Sequence, residues 1–146
     1  MLVRVTAVAL SLLALAFQCS STNEPGSPIA KGTWGGERAG AIVGDTAFHL
    51  HINCTEGNAP RPTLGMQGRF EVVGEYNVDA YPVNLGIYHP ARFFGTVVGK
   101  TMKVTVELTD TRQVIGPAEL ELGAPPEMGN CPICDMPDRE EARASR

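Results

Sequence analysis

Two stretches of this chain alternate polar and apolar residues with a period of two, after a very different opening. Residues 5–17 are an almost unbroken apolar run. From residue 31 onward short apolar-containing stretches are separated by Gly, Pro, Asn and Asp, and in the clearest of them apolar positions recur at every second residue. The clearest stretch is residues 101–108, where Met102, Val104, Val106 and Leu108 alternate with Thr101, Lys103, Thr105 and Glu107. Successive side chains of a strand point to opposite faces, so this pattern predicts a strand with one face buried and one wet. Residues 91–98 pair with it as a hairpin through a two-residue turn at Gly99-Lys100, Gly being favoured where φ is positive. In the first half the best strand is 47–54. There Phe48, Leu50, Ile52 and Cys54 share one face, and His49, His51 and Asn53 share the other.

The remaining elements are weaker. Strand character continues at 31–36 and 40–43, at 62–66 and 69–73 around Gly68 with a turn near Gly74, and at 113–122, interrupted by Gly116-Pro117. Residues 57–62 have the composition of a loop. Residues 76–90 contain two prolines and read as a long irregular connection with one short strand near 83–86. No helical period appears apart from a frayed turn at 139–144. These readings add up to an all-β domain over residues 31–122, with about seven or eight short antiparallel strands. Closure removes exposed strand edges, so the expected architecture is a small up-and-down barrel, with a β-sandwich as the alternative. A flexible linker (20–30) precedes the domain and a Pro- and Cys-containing tail (123–146) follows it, both expected to be disordered.

The opening has its own logic. Arg4 precedes an apolar run too short to span a bilayer as a mature anchor. Cys19 follows, and then the polar tether Ser20-Ser21-Thr22-Asn23-Glu24-Pro25-Gly26-Ser27-Pro28. This order resembles the signal of bacterial lipoproteins, residues 1–19 being the signal with its lipidation Cys. The resemblance implies acylation at Cys19 and a domain lipid-anchored to a membrane of the bacterial cell envelope. The alternative is a secreted or periplasmic protein cut after Ala14-Leu15-Ala16. The formal net charge of −4, with no basic stripe, argues against nucleic acid as a partner.

A second resemblance rests on Gly32-Thr33-Trp34-Gly35-Gly36, the strand ending at Cys54, Gly68-Arg69-Phe70, His89-Pro90-Ala91-Arg92-Phe93 and Thr101-Met102. These stretches are similar to a family of small exported bacterial proteins of uncharacterised function. The resemblance implies a shared β fold and a cysteine pairing between the first half and the C-terminal end, and it implies no activity. The Gly-x-Trp opening is also similar to lipocalin-like and avidin-like barrels.

Three cysteines lie outside the signal region, so one disulfide leaves one thiol over. Cys54 can pair with Cys131 or Cys134, and the family resemblance points to Cys131. Alternatively, Met128, Cys131, Cys134 and Met136 offer thiolates and thioethers suited to Cu(I) or Zn. His49 and His51, two apart on one strand, point the same way and are able to chelate a metal, with His89 as a third ligand. Their plainer reading is two histidines on a solvent-facing side. Trp34, Tyr76, Tyr81, Tyr88 and His89 are candidates to face a small ligand at a barrel mouth lined by the 76–90 connection. Trp34 and the phenylalanines also suit a core. No nucleophile elbow, phosphate loop or paired-carboxylate motif appears, and no cofactor is implied. The expected function is therefore a non-enzymatic binding or surface-structural module, with a membrane and an unknown small ligand or surface partner. Soft-metal binding by the tail and an enzyme with a His-containing site are the alternatives.

Overall fold

The computed structural model describes residues 24–79 and 84–129. Eight antiparallel strands follow one another around a closed barrel. They are β1 (Gly32–Gly36), β2 (Ala39–Val43), β3 (Ala47–Ile52), β4 (Thr55–Pro60), β5 (Arg69–Asn77), β6 (His89–Val98), β7 (Thr101–Leu108) and β8 (Val114–Leu122). Closure comes from β1 against β8, with Trp34 opposite Leu122 and Gly35 opposite Glu121. This is the up-and-down barrel and not the sandwich.

The period-two pattern sets the inside. Met102, Val104, Val106 and Leu108 have no exposed surface, while Lys103 stays outside. Phe48, Leu50 and Ile52 line the interior from β3. Trp34, Phe48, Tyr76 and Phe93 meet them, with Phe93 edge-on to both Phe48 and Tyr76 at centroid distances of 5.9 Å. An eight-stranded barrel is just wide enough to be filled by its own side chains or to hold one small ligand. Here those side chains occupy it, and Trp34 and Tyr76 are part of that packing.

Several elements depart from the sequence reading. Residues 57–62 are no loop, since most of them belong to β4. Its inward positions are the small Gly57 and Ala59, because the Tyr76 ring fills the space opposite Gly57. Gly74 makes no turn, and β5 runs through it to Asn77. A Cβ at Gly74 would lie 2.2 Å from the Asn58 carbonyl oxygen, so glycine there permits close strand approach. Residues 62–66 form no strand; only Thr63 bridges to Pro28, and Met66–Gly68 is a short 3-10 turn. Asn84, Leu85 and Gly86 are not in a strand. Cys54 sits in the turn after β3 instead of on the strand's inner face, Asn53 having turned the chain with φ of 55°.

The described parts of the linker and tail pack on the barrel. Ile29 is fully buried, its N–H bonded to the Pro62 oxygen at 2.9 Å. The tail runs back along β1, with Gly123 N–H donating to Thr33 O, Glu127 N–H to Gly36 O, and Arg38 N–H to Glu127 O. Apolar surface at Ile29 and a glycine-lined track for the tail hold these segments despite their polar composition.

Candidate binding site on the outer wall

The outer face of β2, β3 and β4 carries a polar cluster built around the two strand histidines. Because Phe48, Leu50 and Ile52 point inward, His49 and His51 point outward. Register then sets their neighbours. His49 is opposite Asn58 and Ile42, and His51 is opposite Glu56 and Gly40. The two imidazoles meet edge to face, Nε2 to Nε2 at 2.8 Å.

Each group is oriented from behind. Asn58 Oδ1 lies 2.7 Å from His49 Nδ1, so that nitrogen carries the hydrogen and donates it. The lone pair of His49 Nε2 is then free to accept from His51. Glu56 Oε1 accepts from Asn84 Nδ2 at 3.0 Å and from the Tyr88 hydroxyl at 2.9 Å. Its other oxygen faces His51 Nε2 at 3.7 Å. Asn84 is fixed in turn through its Oδ1, which accepts from Asn77 Nδ2 and Gly86 N–H, both at 2.8 Å. Burial, the neighbouring His49 and, in opposition, the carboxylate of Glu56 act on His51, and the balance lowers its pKa below the ordinary histidine value. The ring is therefore neutral at pH 7, with a lone pair to offer.

A strap of the tail borders the site. Gly35 and Gly40 are paired across β1 and β2 and leave a bare patch on the wall. Pro125 and Pro126 lie on it so closely that a Cβ would come within 2.3 Å of Pro125 backbone atoms at Gly35 and 2.4 Å of Pro126 Cβ at Gly40. Beside this strap is a half-open cavity of about 260 Å³ lined by Ile42, His49, His51, Pro126 and Met128, among others. It combines an apolar side with the His49 and His51 imidazoles and Met128.

The other site candidates lie elsewhere. His89 does not join the pair, because its Nδ1 contacts Asp110 Oδ2 at 2.7 Å on the β6 and β7 side. That bond is the main reason the Asp110 pKa is lowered. Trp34 is inside, its indole N–H donating to Ala30 O at 3.1 Å, and Tyr76 is inside with its hydroxyl 2.8 Å from Thr55 Oγ1. Tyr88 reaches the outer wall through Glu56. Cys54 is half-buried at the end of β3. Cys19, Tyr81, Cys131, Cys134 and Met136 lie outside the described residues, and Met128 lines the cavity just described. From the sequence, none of Glu56, Asn58 and Asn84 is singled out as a ligand; Glu56 stands there only as one of several acidic residues scattered singly near turns. The signal for the first two was their spacing, polar residues alternating with the small Gly57 and Ala59.

No protein-family model matches this chain, and no curated protein or solved structure is similar to it.

Proposed function

We propose that this chain is an exported, lipid-anchored and non-enzymatic binding module whose ligand site is on the outside of the barrel. One observation carries the reading. Interior positions are occupied by close-packed aromatic and aliphatic side chains, whereas the outer wall holds a half-open, mostly apolar cavity with His49 and His51 in its lining. Ligand sites combine an apolar lining with a few placed polar groups in this way. The apolar run before Cys19 and the polar stretch after it support the anchor.

A staple between Cys54 and Cys131 belongs to the same proposal. Glu127 O accepts from Arg38 N–H, and Arg38 O accepts from Asn53 N–H, which brings the tail beside the turn that carries Cys54. Four further residues extend about 14 Å at most, enough to return a cysteine to that turn. The staple then holds the strap beside the cavity.

Native mass spectrometry of protein purified from its own membranes tests this reading. The expected species carries acyl chains at Cys19, a Cys54–Cys131 bridge and a retained ligand that an Ile42→Lys variant loses. A soluble, unacylated chain beginning after Ala16 would remove the anchor. A ligand retained by Ile42→Lys but lost on widening the interior with Phe93→Ala would remove the outer-wall site.

A further inference from the structure

We infer that His49, His51 and Glu56 bind a borderline divalent transition cation of the zinc and copper class, next to the cavity that Met128 helps line. The inference rests on the outer-wall reading above and names the ligand of that site. Candidate ligand atoms from these three residues all lie within 4.8 Å of one another.

The donor set fits such an ion chemically. Neutral imidazole suits zinc, copper and nickel, and one carboxylate supplies charge. Two ligand nitrogens about 2.0–2.1 Å from a tetrahedral ion are about 3.3 Å apart. The imidazole pair, 2.8 Å apart, need open by only about half an ångström. Glu56 Oε2, 3.7 Å from His51 Nε2, need close by only about 0.4 Å to reach the same spacing. The cation takes the place of the hydrogen between the two Nε2 atoms. His51 then carries its ring hydrogen on Nδ1, exchanged through water, since the side chain is 29% exposed.

The support behind the donors is the stronger argument. A solvent-facing histidine pair has no need of a built backing. Here Asn58 fixes the His49 tautomer with Nε2 forward. Two donors on Glu56 Oε1 turn Oε2 toward the imidazoles, and one of them, Asn84, is anchored by the fully buried Asn77. Partners of this kind orient metal ligands and raise affinity by about 10- to 100-fold.

Calorimetric titration of the metal-free, full-length mature chain with Zn²⁺ alone and with Cu²⁺ alone tests the site. One equivalent of each is expected, Cu²⁺ the tighter, and none of Mg²⁺. His49→Ala and His51→Ala should each weaken binding by about 100-fold or more, and Asn58→Ala by about 10-fold or more. The Cys134→Ser variant, which leaves the proposed staple intact, should keep wild-type affinity. Trp34 fluorescence checks folding, and His51→Gln serves if an alanine variant does not fold. A wild-type chain that takes up neither ion overturns the inference. So does unchanged affinity in both histidine variants, or loss confined to the cysteine variant, which would place the ion on the tail. If the wild type takes up no metal but retains a non-metal mass that Ile42→Lys releases, only the metal falls and the outer-wall reading stands.

Discussion

Gly57→Ala is the sharpest test of how this barrel is filled. The added Cβ would lie 2.2 Å from Tyr76 Cδ2, 2.6 Å from the Glu75 oxygen and 2.9 Å from Phe93 Cζ. The Tyr76 ring covers the glycine across the β4–β5 pair, as aromatic residues do opposite strand glycines. It has little room to retreat. Its hydroxyl is held by Thr55 at 2.8 Å, and its ring packs edge-on to Phe93. Overpacking costs about 1–3 kcal/mol. Pulling the buried hydroxyl from its partner adds about 1–3 kcal/mol, and loosening the aromatic pair adds about 0.5–1.5 kcal/mol. These effects share one displacement and do not simply add, so the expected loss is about 3 kcal/mol. For a domain of this size that lowers Tm by roughly 12–20 °C. Urea unfolding followed by fluorescence of Trp34, the one tryptophan in the chain and fully buried, reads the loss directly. Gly44→Ala is the control, because its Cβ would meet nothing closer than 3.7 Å and should change stability by less than about 1 kcal/mol. If Gly57→Ala falls within about 0.5 kcal/mol of wild type, the interior is not filled as described.

Other expectations follow from the same structure. Burial pushes the Tyr76 hydroxyl up to about 12. Its neutral form is favoured by folding, so the unfolded chain ionises first, near pH 10, and stability falls as pH rises from about 10 to about 12. That shift corresponds to about 3 kcal/mol, and Tyr76→Phe should abolish this part of the alkaline loss in unfolding measured against pH. Cys54→Ala should lower stability by about 4 kcal/mol if it staples a loop of about 77 residues, whereas Cys134→Ala should do little. Equal small effects would contradict the staple. Gly40→Ala should lift Pro126 off the wall, since the methyl group would sit 2.4 Å from Pro126 Cβ. Hydrogen exchange at Arg38 and Glu127 should then speed up while the β6–β7 hairpin stays protected.

Much of this fold was legible from strict alternation. The β6–β7 hairpin and the inward face of β3 follow from it, because one buried and one wet face leave a period-two trace. β4 left no such trace. Its inward residues are small because a ring from β5 reaches across to fill their place, a long-range effect that local composition cannot encode. Gly74 misled for the same reason: in a narrow barrel glycine also marks close strand approach and not only a turn. His49 and His51 were legible as a pair. Glu56 and Asn58 become their neighbours only through the β3–β4 register. Met128 joins them because Gly35 and Gly40, far from it in sequence, leave the track on which the tail lies. His89 read as a third ligand, but the chain places it beside Asp110.

The most direct measurement is anomalous diffraction at the zinc edge from crystals of the mature chain grown with Zn²⁺. One strong peak is expected on the outer wall, within bonding distance of His49 Nε2, His51 Nε2 and Glu56 Oε2, with the Pro126–Met128 strap to one side. A peak held instead by Cys131 and Cys134 would contradict the account. So would an outer wall without zinc, its two imidazoles still hydrogen-bonded to each other.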